Sequence, residues 1–397
     1  MKVEEYKTYL SAWISGLQSE INFWNYYFQN EGGIYFSGFE DAVSKNKVFT
    51  LEDDIPTQMY GEKYKFIDVG SGPLSRCGRI TDKVQLDAVY VDPLAYAYKN
   101  IMDKCNVDNG NRLKSGFVEL LSKQFEPNTF DMVHMSNSLD HSFSAVDGIY
   151  QLLNICKIGG KVILRHTENE AENEKYEGLH QWNLSLHNDE NSFIIWRNEE
   201  RYDICKIFGE YAEIQLQPDE IEEGGWIYNK VVFIKKKELR MPKNKYYDIM
   251  LDVIYKELVL NILNMNNIER IVSKQSINKK DERIALIRKA YHQKEKLKKN
   301  GIKEKLGTVM IYGMGTVGTN LDYLLENCDI NARKMDAKGK KSGCSETMMM
   351  EECKDFDFNN IIVTVDDKTV FNKLIEKSKK KNVVGIDDFL RKVMELV

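Results

Sequence analysis

A chain of 397 residues is too long for one ordinary core, and 42% apolar with 29% charged residues describes a soluble globular protein of two domains joined by helices. A formal net charge of -5 argues against a nucleic-acid partner for the chain as a whole, and no run of about 18 apolar residues marks a membrane span. The seven cysteines are odd in number and form no CxxC pair. They read as reduced thiols of a cytoplasmic protein, neither a disulfide framework nor a zinc site, and the N-terminal stretch has no apolar leader core.

Residues 1–60 form an N-terminal helical cap in this reading. Tyr6, Leu10, Trp13, Leu17, Ile21, Trp24 and Phe28 follow a three-to-four period, which predicts a helix pair covering a sheet, with a substrate lid as the alternative. Residues 61–237 form the second segment. Apolar runs at 65–69, 86–91, 130–135 and 161–165 alternate with helical patterns, the rhythm of βαβ units and a parallel sheet. Further strands are expected at 192–197, 212–216 and 230–234, the last two paired around Gly224 and Gly225.

Within that segment, Phe66-Ile67-Asp68-Val69-Gly70-Ser71-Gly72-Pro73 is an apolar run that ends in an acid and opens into a glycine turn. Glycine lets the backbone approach a ligand, while Asp68 beside it would repel a pyrophosphate and attract a cation. A ligand carrying an ammonium and a sulfonium suits that pairing better than NAD or ATP. About twenty residues on, a second run ends in Asp92, a strand-end carboxylate placed to accept both hydroxyls of a ribose.

Residues 238–306 read as a helical linker. Between 274 and 305, 12 Lys or Arg face 4 Asp or Glu, which predicts either a solvated helix or a contact with an anionic partner such as RNA. From 307 to 397 the βαβ rhythm resumes as a second, smaller Rossmann-like domain. There Gly313-Met314-Gly315-Thr316-Val317-Gly318 lies between a strand and a helix, and a second strand ends at Asp336. Dinucleotide binding, nucleotide-sugar or other phosphate binding, and a structural or homodimer-forming role all stay open for this loop.

Taken in order, FIDVGSGP, VYVDPL and the stretch FDMVHMSNSLDHSFSAVDGIYQLLNICKIGGKVIL resemble three motifs of the class I S-adenosylmethionine-dependent methyltransferases, over about residues 60–235. The resemblance implies an α/β Rossmann-like sheet and S-adenosylmethionine as cofactor. It places Asp68, Gly70, Ser71, Gly72 and Pro73 at the methionine part, Asp92 at the ribose, Pro93 and Leu94 on the adenine side, and Ser136 and Asn137 in the loop after the fourth strand. Two departures stand out. The family often has Gly-x-Gly-x-Gly, whereas here Pro73 follows Gly72 and the next glycine is Gly78, and Ser115-Gly116-Phe117-Val118-Glu119 offers Glu119 where the family often has an aspartate for the adenine amino group. The stretches 166–170 and 176–182 also resemble a bacterial methyltransferase group whose members look like polysaccharide or small-metabolite modifying enzymes, some with a Rossmann-like C-terminal domain.

Five of the six histidines fall between 134 and 187. In a doubly wound sheet the ligand site lies at the carboxyl ends of the strands, where His141 and His166 follow the fourth and fifth. Methyl transfer to a hydroxyl needs alignment, exclusion of water and a base, so His141 is the first candidate, then His166 and His180, with Glu168, Glu170 and Asp140 as orienting groups or alternative bases. His134 is expected mid-strand, pointing into the fold. Asp140, His141, His166, Glu168 and His180 also offer the mixed nitrogen and oxygen ligands of a metal site, an alternative that no HxH or HxxxH spacing supports. Trp182, Trp196 and Trp226 shape an acceptor pocket or pack a core. The expected function is methylation of a hydroxyl on a sugar, nucleotide-sugar, glycan precursor or other small polar metabolite. A non-catalytic nucleotide-binding scaffold, and an RNA or protein methyltransferase using the basic linker, are the alternatives.

Overall fold

A computed structural model describes residues 3–110, 113–187, 191–221, 227–240, 279–337, 339, 347–350, 352–353, 358–378 and 382–397. It divides into two compact units. The first comprises 1–28, 41–220 and 227–273, and the second comprises 29–40, 221–226 and 274–397.

In the first unit the apolar runs become strands β1 (Lys63–Val69), β2 (Gln85–Asp92), β3 (Leu113–Ser115), β4 (Phe130–Ser136) and β5 (Cys156–Thr167). With β9 (Ala212–Ile221) and β10 (Ile227–Lys235) they form a seven-stranded sheet of order β3-β2-β1-β4-β5-β10-β9. Strands β1 to β5 are parallel, and β10 runs antiparallel to β5. The central strands are buried on both faces, as a parallel sheet covered by helices requires. Ile67, Val133, Val162, Leu164 and Val231 share a core with the helix Ala145–Ile155. The last two expected strands are neighbours in this sheet, while their Gly224–Gly225 turn lies outside the described residues. Strands β6 (Asn183–His187), β7 (Ser192–Arg197) and β8 (Glu200–Asp203) make a separate antiparallel sheet.

Two expectations are corrected. The N-terminal helix pair is one helix, Val3–Gln29, because nothing in its sequence stops it, and its Trp13, Leu17, Ile21 and Phe28 are buried. The β1–β2 connection is not helical. Residues 70–84 hold Gly72, Pro73 and Gly78 and lack an apolar helical period, so the chain runs as an irregular loop. Hydrogen bonds to the segment before β1 fix it instead: Arg79 N to Lys47 O at 2.9 Å, Phe49 N to Ile80 O at 2.8 Å and Thr50 N to Cys77 O at 2.7 Å.

The second unit holds a four-stranded parallel sheet, β12-β11-β13-β14, from β11 (Val309–Tyr312), β12 (Arg333–Met335), β13 (Asn360–Val363) and β14 (Asn382–Gly385). The described part of the expected linker packs into this unit's core through Ile284, Ile287, Leu297 and Ile302. Part of its positive charge is neutralised there. Arg283 bonds Asp366 and Asp387, and Lys298 reaches Asp329 at 3.0 Å.

Candidate active site

The glycine loop is held at the carboxyl ends of β1 and β2. Gly70 and Gly72 have φ of 63° and 58°, the left-handed region that a side chain resists. Gly70 N donates to Val91 O at 2.7 Å, and Asp92 takes Gly72 N at 3.0 Å on one oxygen and Leu94 N at 2.8 Å on the other. One carboxylate therefore spans the loop and the segment after β2. Burial pushes the Asp92 carboxyl up to about 7, against the pull of those two amides. Glu20 adds negative charge beside it, and its carboxylate accepts from Trp24 Nε1 at 2.7 Å. Trp24 lies over the loop, 3.2 Å from where a Cβ on Gly72 would sit. Neither Glu20 nor Trp24 was singled out as a site residue from sequence; the only signal was Trp24's place on the aromatic stripe.

Asp68 turns inward. It is 3% exposed, with Oδ1 2.8 Å from His134 Nδ1 and Oδ2 accepting from Ser75 Oγ at 2.6 Å. His134 is buried mid-strand, and Cys77 Sγ lies 3.2 Å from the same ring nitrogen. Burial pushes the Cys77 thiol well up, so it stays protonated in this interior triad. Ser75 and Cys77 had no distinguishing pattern in the sequence. Ser71 and Pro73 lie in the loop, with Pro73 O accepting from Asn109 Nδ2 at 2.9 Å, and Leu94 is buried.

Glu119 is also buried, and its Oε1 accepts Ser144 N at 3.1 Å, at the start of the helix Ala145–Ile155. Burial pushes its carboxyl up to about 8. Its carboxylate thus holds the backbone at the start of that helix. Asn137 Oδ1 accepts from Thr167 N at 3.3 Å and Thr167 Oγ1 at 3.2 Å, tying the ends of β4 and β5, while Ser136 Oγ is buried without a partner.

Beyond β4 the chain turns sharply, His141 N donating to Ser138 O at 3.1 Å. Ser138 sits against Gly70, so this turn links the glycine loop to the histidines. Asp140 is fully buried. Its Oδ2 lies 2.7 Å from His180 Nδ1 and 3.4 Å from His141 Nε2, and the two ring nitrogens are 3.2 Å apart. Burial pushes the Asp140 carboxyl up, but the charges of His141 and His180 outweigh it and hold it at about 2. His180 moves the other way: burial lowers it, the Asp140 bond raises it, and the net is upward. His166 is 3% exposed, and burial pushes it down to about 4, so it is neutral at ordinary pH.

The remaining candidates divide. Glu170 is buried and its carboxyl is raised by burial, close enough for its charge to act on His180. Glu168 instead bonds Asn229 and accepts Leu186 N at 3.2 Å, which makes it a staple between β6 and the sheet. Trp182 is 1% exposed with Nε1 on Ser142 O at 2.9 Å, and it packs the core. Trp196 Nε1 donates to Ser185 Oγ at 3.0 Å, and Trp226 lies outside the described residues.

No protein-family model and no curated protein matches the sequence. Many solved structures that do match are S-adenosylmethionine-dependent methyltransferases. About half of this chain is similar in fold to them. A Thermotoga maritima methyltransferase, described as a possible histamine N-methyltransferase, is 13% identical over 50% of this chain and 92% of its own, with a TM-score of 0.32. One from Aquifex aeolicus is 14% identical over 50% of this chain and 96% of its own, at 0.30. Phosphoethanolamine N-methyltransferase 2 of Haemonchus contortus, solved with phosphomonomethylethanolamine and S-adenosylhomocysteine, is 14% identical over 53% of this chain and 57% of its own, at 0.35. The likeness leaves about half of this chain uncovered and says nothing of its substrate.

Proposed function

We propose that the first unit is an S-adenosylmethionine-dependent methyltransferase acting on a hydroxyl of a small polar metabolite such as a sugar or glycan precursor. The observation that carries this reading is the turn at Ser138 to His141, which sets the Asp140–His141–His180 cluster beside the glycine loop pinned by Asp92. The residues fit the cofactor. A left-handed glycine turn and a buried carboxylate at Asp92 suit ribose hydroxyls, and no helix N-terminus opens at this loop to select a phosphate. Bound there, S-adenosylmethionine supplies a methyl group on a good leaving sulfur.

The chain's own part is alignment and a base. Asp140 fixes the ring of His180 by accepting at Nδ1, which would leave Nε2 to hold and take the acceptor hydroxyl's proton when the cofactor supplies its methyl group. Asp140 orients and stabilises the resulting imidazolium without taking the proton itself. His141, the first candidate from sequence, adjoins this pair, so the Asp140–His180 geometry moves the base assignment to His180.

The test is calorimetric titration with S-adenosylmethionine and S-adenosylhomocysteine, followed by turnover on a panel of hydroxylated sugars. Binding of both cofactor forms is expected, and no heat at millimolar ligand would end the reading. His180→Ala should lower turnover by about 10²- to 10⁴-fold while cofactor affinity stays within about twofold. An equal loss of both would place His180 in the cofactor site.

A further inference from the structure

The cluster that carries the base has a second property. Its three donor atoms, Asp140 Oδ2, His180 Nδ1 and His141 Nε2, form a triangle with sides of 2.7, 3.2 and 3.4 Å. Ligand atoms bonded at about 2.0–2.2 Å to a single ion are separated by about 3.0–3.4 Å, so the triangle already has about the size of one face of a coordination shell. The unused polar groups around it point the same way. Asp140 Oδ1, Glu170 Oε2 and both ring nitrogens of His166 are buried without a hydrogen-bond partner, in residues 0%, 7% and 3% exposed. Leaving such an atom unsatisfied costs about 1–3 kcal/mol, and an ion held by Asp140 would relieve that residue's second oxygen.

The other mixed cluster among the described residues, Asp68, Cys77 and His134, lacks this feature. Both Asp68 oxygens have partners there, and the three residues are buried. By contrast, His141 and His180 keep 20% and 22% of their side chains exposed, which gives an ion a way in.

We propose that Asp140, His141 and His180 bind one divalent transition-metal ion, their three donor atoms lying together on one side of it. Neutral imidazoles with a carboxylate favour Zn²⁺, Co²⁺, Fe²⁺ or Mn²⁺ over Mg²⁺ or Ca²⁺, which prefer all-oxygen shells. The site stands apart from the methyl-transfer reading, since occupancy is measured on the metal itself. If both hold, an ion held by these residues would supply acidification of the acceptor hydroxyl in place of proton acceptance by His180, and a chelator would then reduce turnover.

The test uses full-length protein stripped with a chelator and titrated with Zn²⁺ by calorimetry and with Co²⁺ by visible absorption. One ion per chain is expected, with cobalt bands characteristic of nitrogen and oxygen ligands. His180→Ala and Asp140→Asn should each weaken binding on the order of 100-fold, and His187→Ala should not. His141→Ala, on a partly exposed ring, serves if the buried Asp140 variant does not fold, and a retained thermal unfolding transition verifies each variant's fold. Absence of saturable binding at about 100 µM metal, or binding that survives in all folded cluster variants, overturns the proposal. Metal binding without any cofactor binding would leave this site standing and remove the methyltransferase reading.

Discussion

Two glycine loops in this chain are pinned in the same way and lead to different structures. In the first unit, Gly70 N bonds the carbonyl of Val91 and Gly72 N bonds the carboxylate of the next residue, Asp92. In the second, Gly313 N bonds the carbonyl of Met335 at 2.8 Å and Met314 N bonds the carboxylate of the next residue, Asp336, at 2.8 Å. A strand-end acid holding the neighbouring strand's loop is therefore shared, and by itself identifies no ligand. The chain beyond each loop differs. The second loop opens at Gly315 into the helix Thr316–Glu326, which brings partial positive charge to it, whereas the first runs on through Pro73 as irregular chain. The glycines also do different work: Gly318 packs against the Gly313 carbonyl, while Gly72 faces the Trp24 ring. Two of the three glycines in the Gly313–Gly318 pattern are thus explained by the backbone alone, since Gly313 has φ of 98°.

The sharpest way to break the comparison is Asp92→Ala. Loss of a buried carboxylate that accepts two amides, and to which the proposed function assigns the ribose hydroxyls, should weaken S-adenosylhomocysteine binding by about 100-fold in a calorimetric titration. Unchanged affinity would mean that Asp92 only holds the loop, as Asp336 does. A smaller effect comes from pH. With its carboxyl pushed up to about 7 by burial, Asp92 is protonated in the free protein below that pH, while ribose donors favour the ionised form. Binding and ionisation are then linked, so affinity is full above about pH 8 and falls by about tenfold by about pH 6. In Asp92→Asn the same profile should be flat; a slope that persists there would assign the proton to another group.

The longer strands of the seven-stranded sheet were legible because their apolar runs are bounded by turn residues, whereas β3, only Leu113–Ser115, is too short to show one. The failures have physical causes. The β1–β2 connection was read into a βαβ rhythm although 70–84 carries two helix-breaking residue types, because rhythm over the whole segment outweighed local chemistry. Strands β6 and β8, NLSLH and ERYD, are short and mixed in polarity, so neither shows a clear alternation. The candidate site was half legible. Asp140, His141 and His180 were all singled out, but a 40-residue separation between Asp140 and His180 hides their contact, which exists only because the loop after β5 folds back onto the turn after β4. Asp68 and Glu119 drew attention as acids in family positions, and only packing reveals that both carboxylates are turned onto protein partners.

The smallest expected effect lies at the second loop. Asp336→Ala removes the carboxylate that accepts Met314 N from a partly buried position, so chemical denaturation should report about 1 kcal/mol less stability. S-adenosylhomocysteine affinity in the same protein should stay within about twofold of the parent, because independent sites add without coupling. The two variants together decide whether the shared pinning has a shared purpose. If Asp336→Ala lowers cofactor affinity as Asp92→Ala does, the two loops act on one ligand and the contrast between them fails. If it lowers only stability, a strand-end acid on a glycine loop is a structural device that this chain uses twice and that the first unit has adapted to binding.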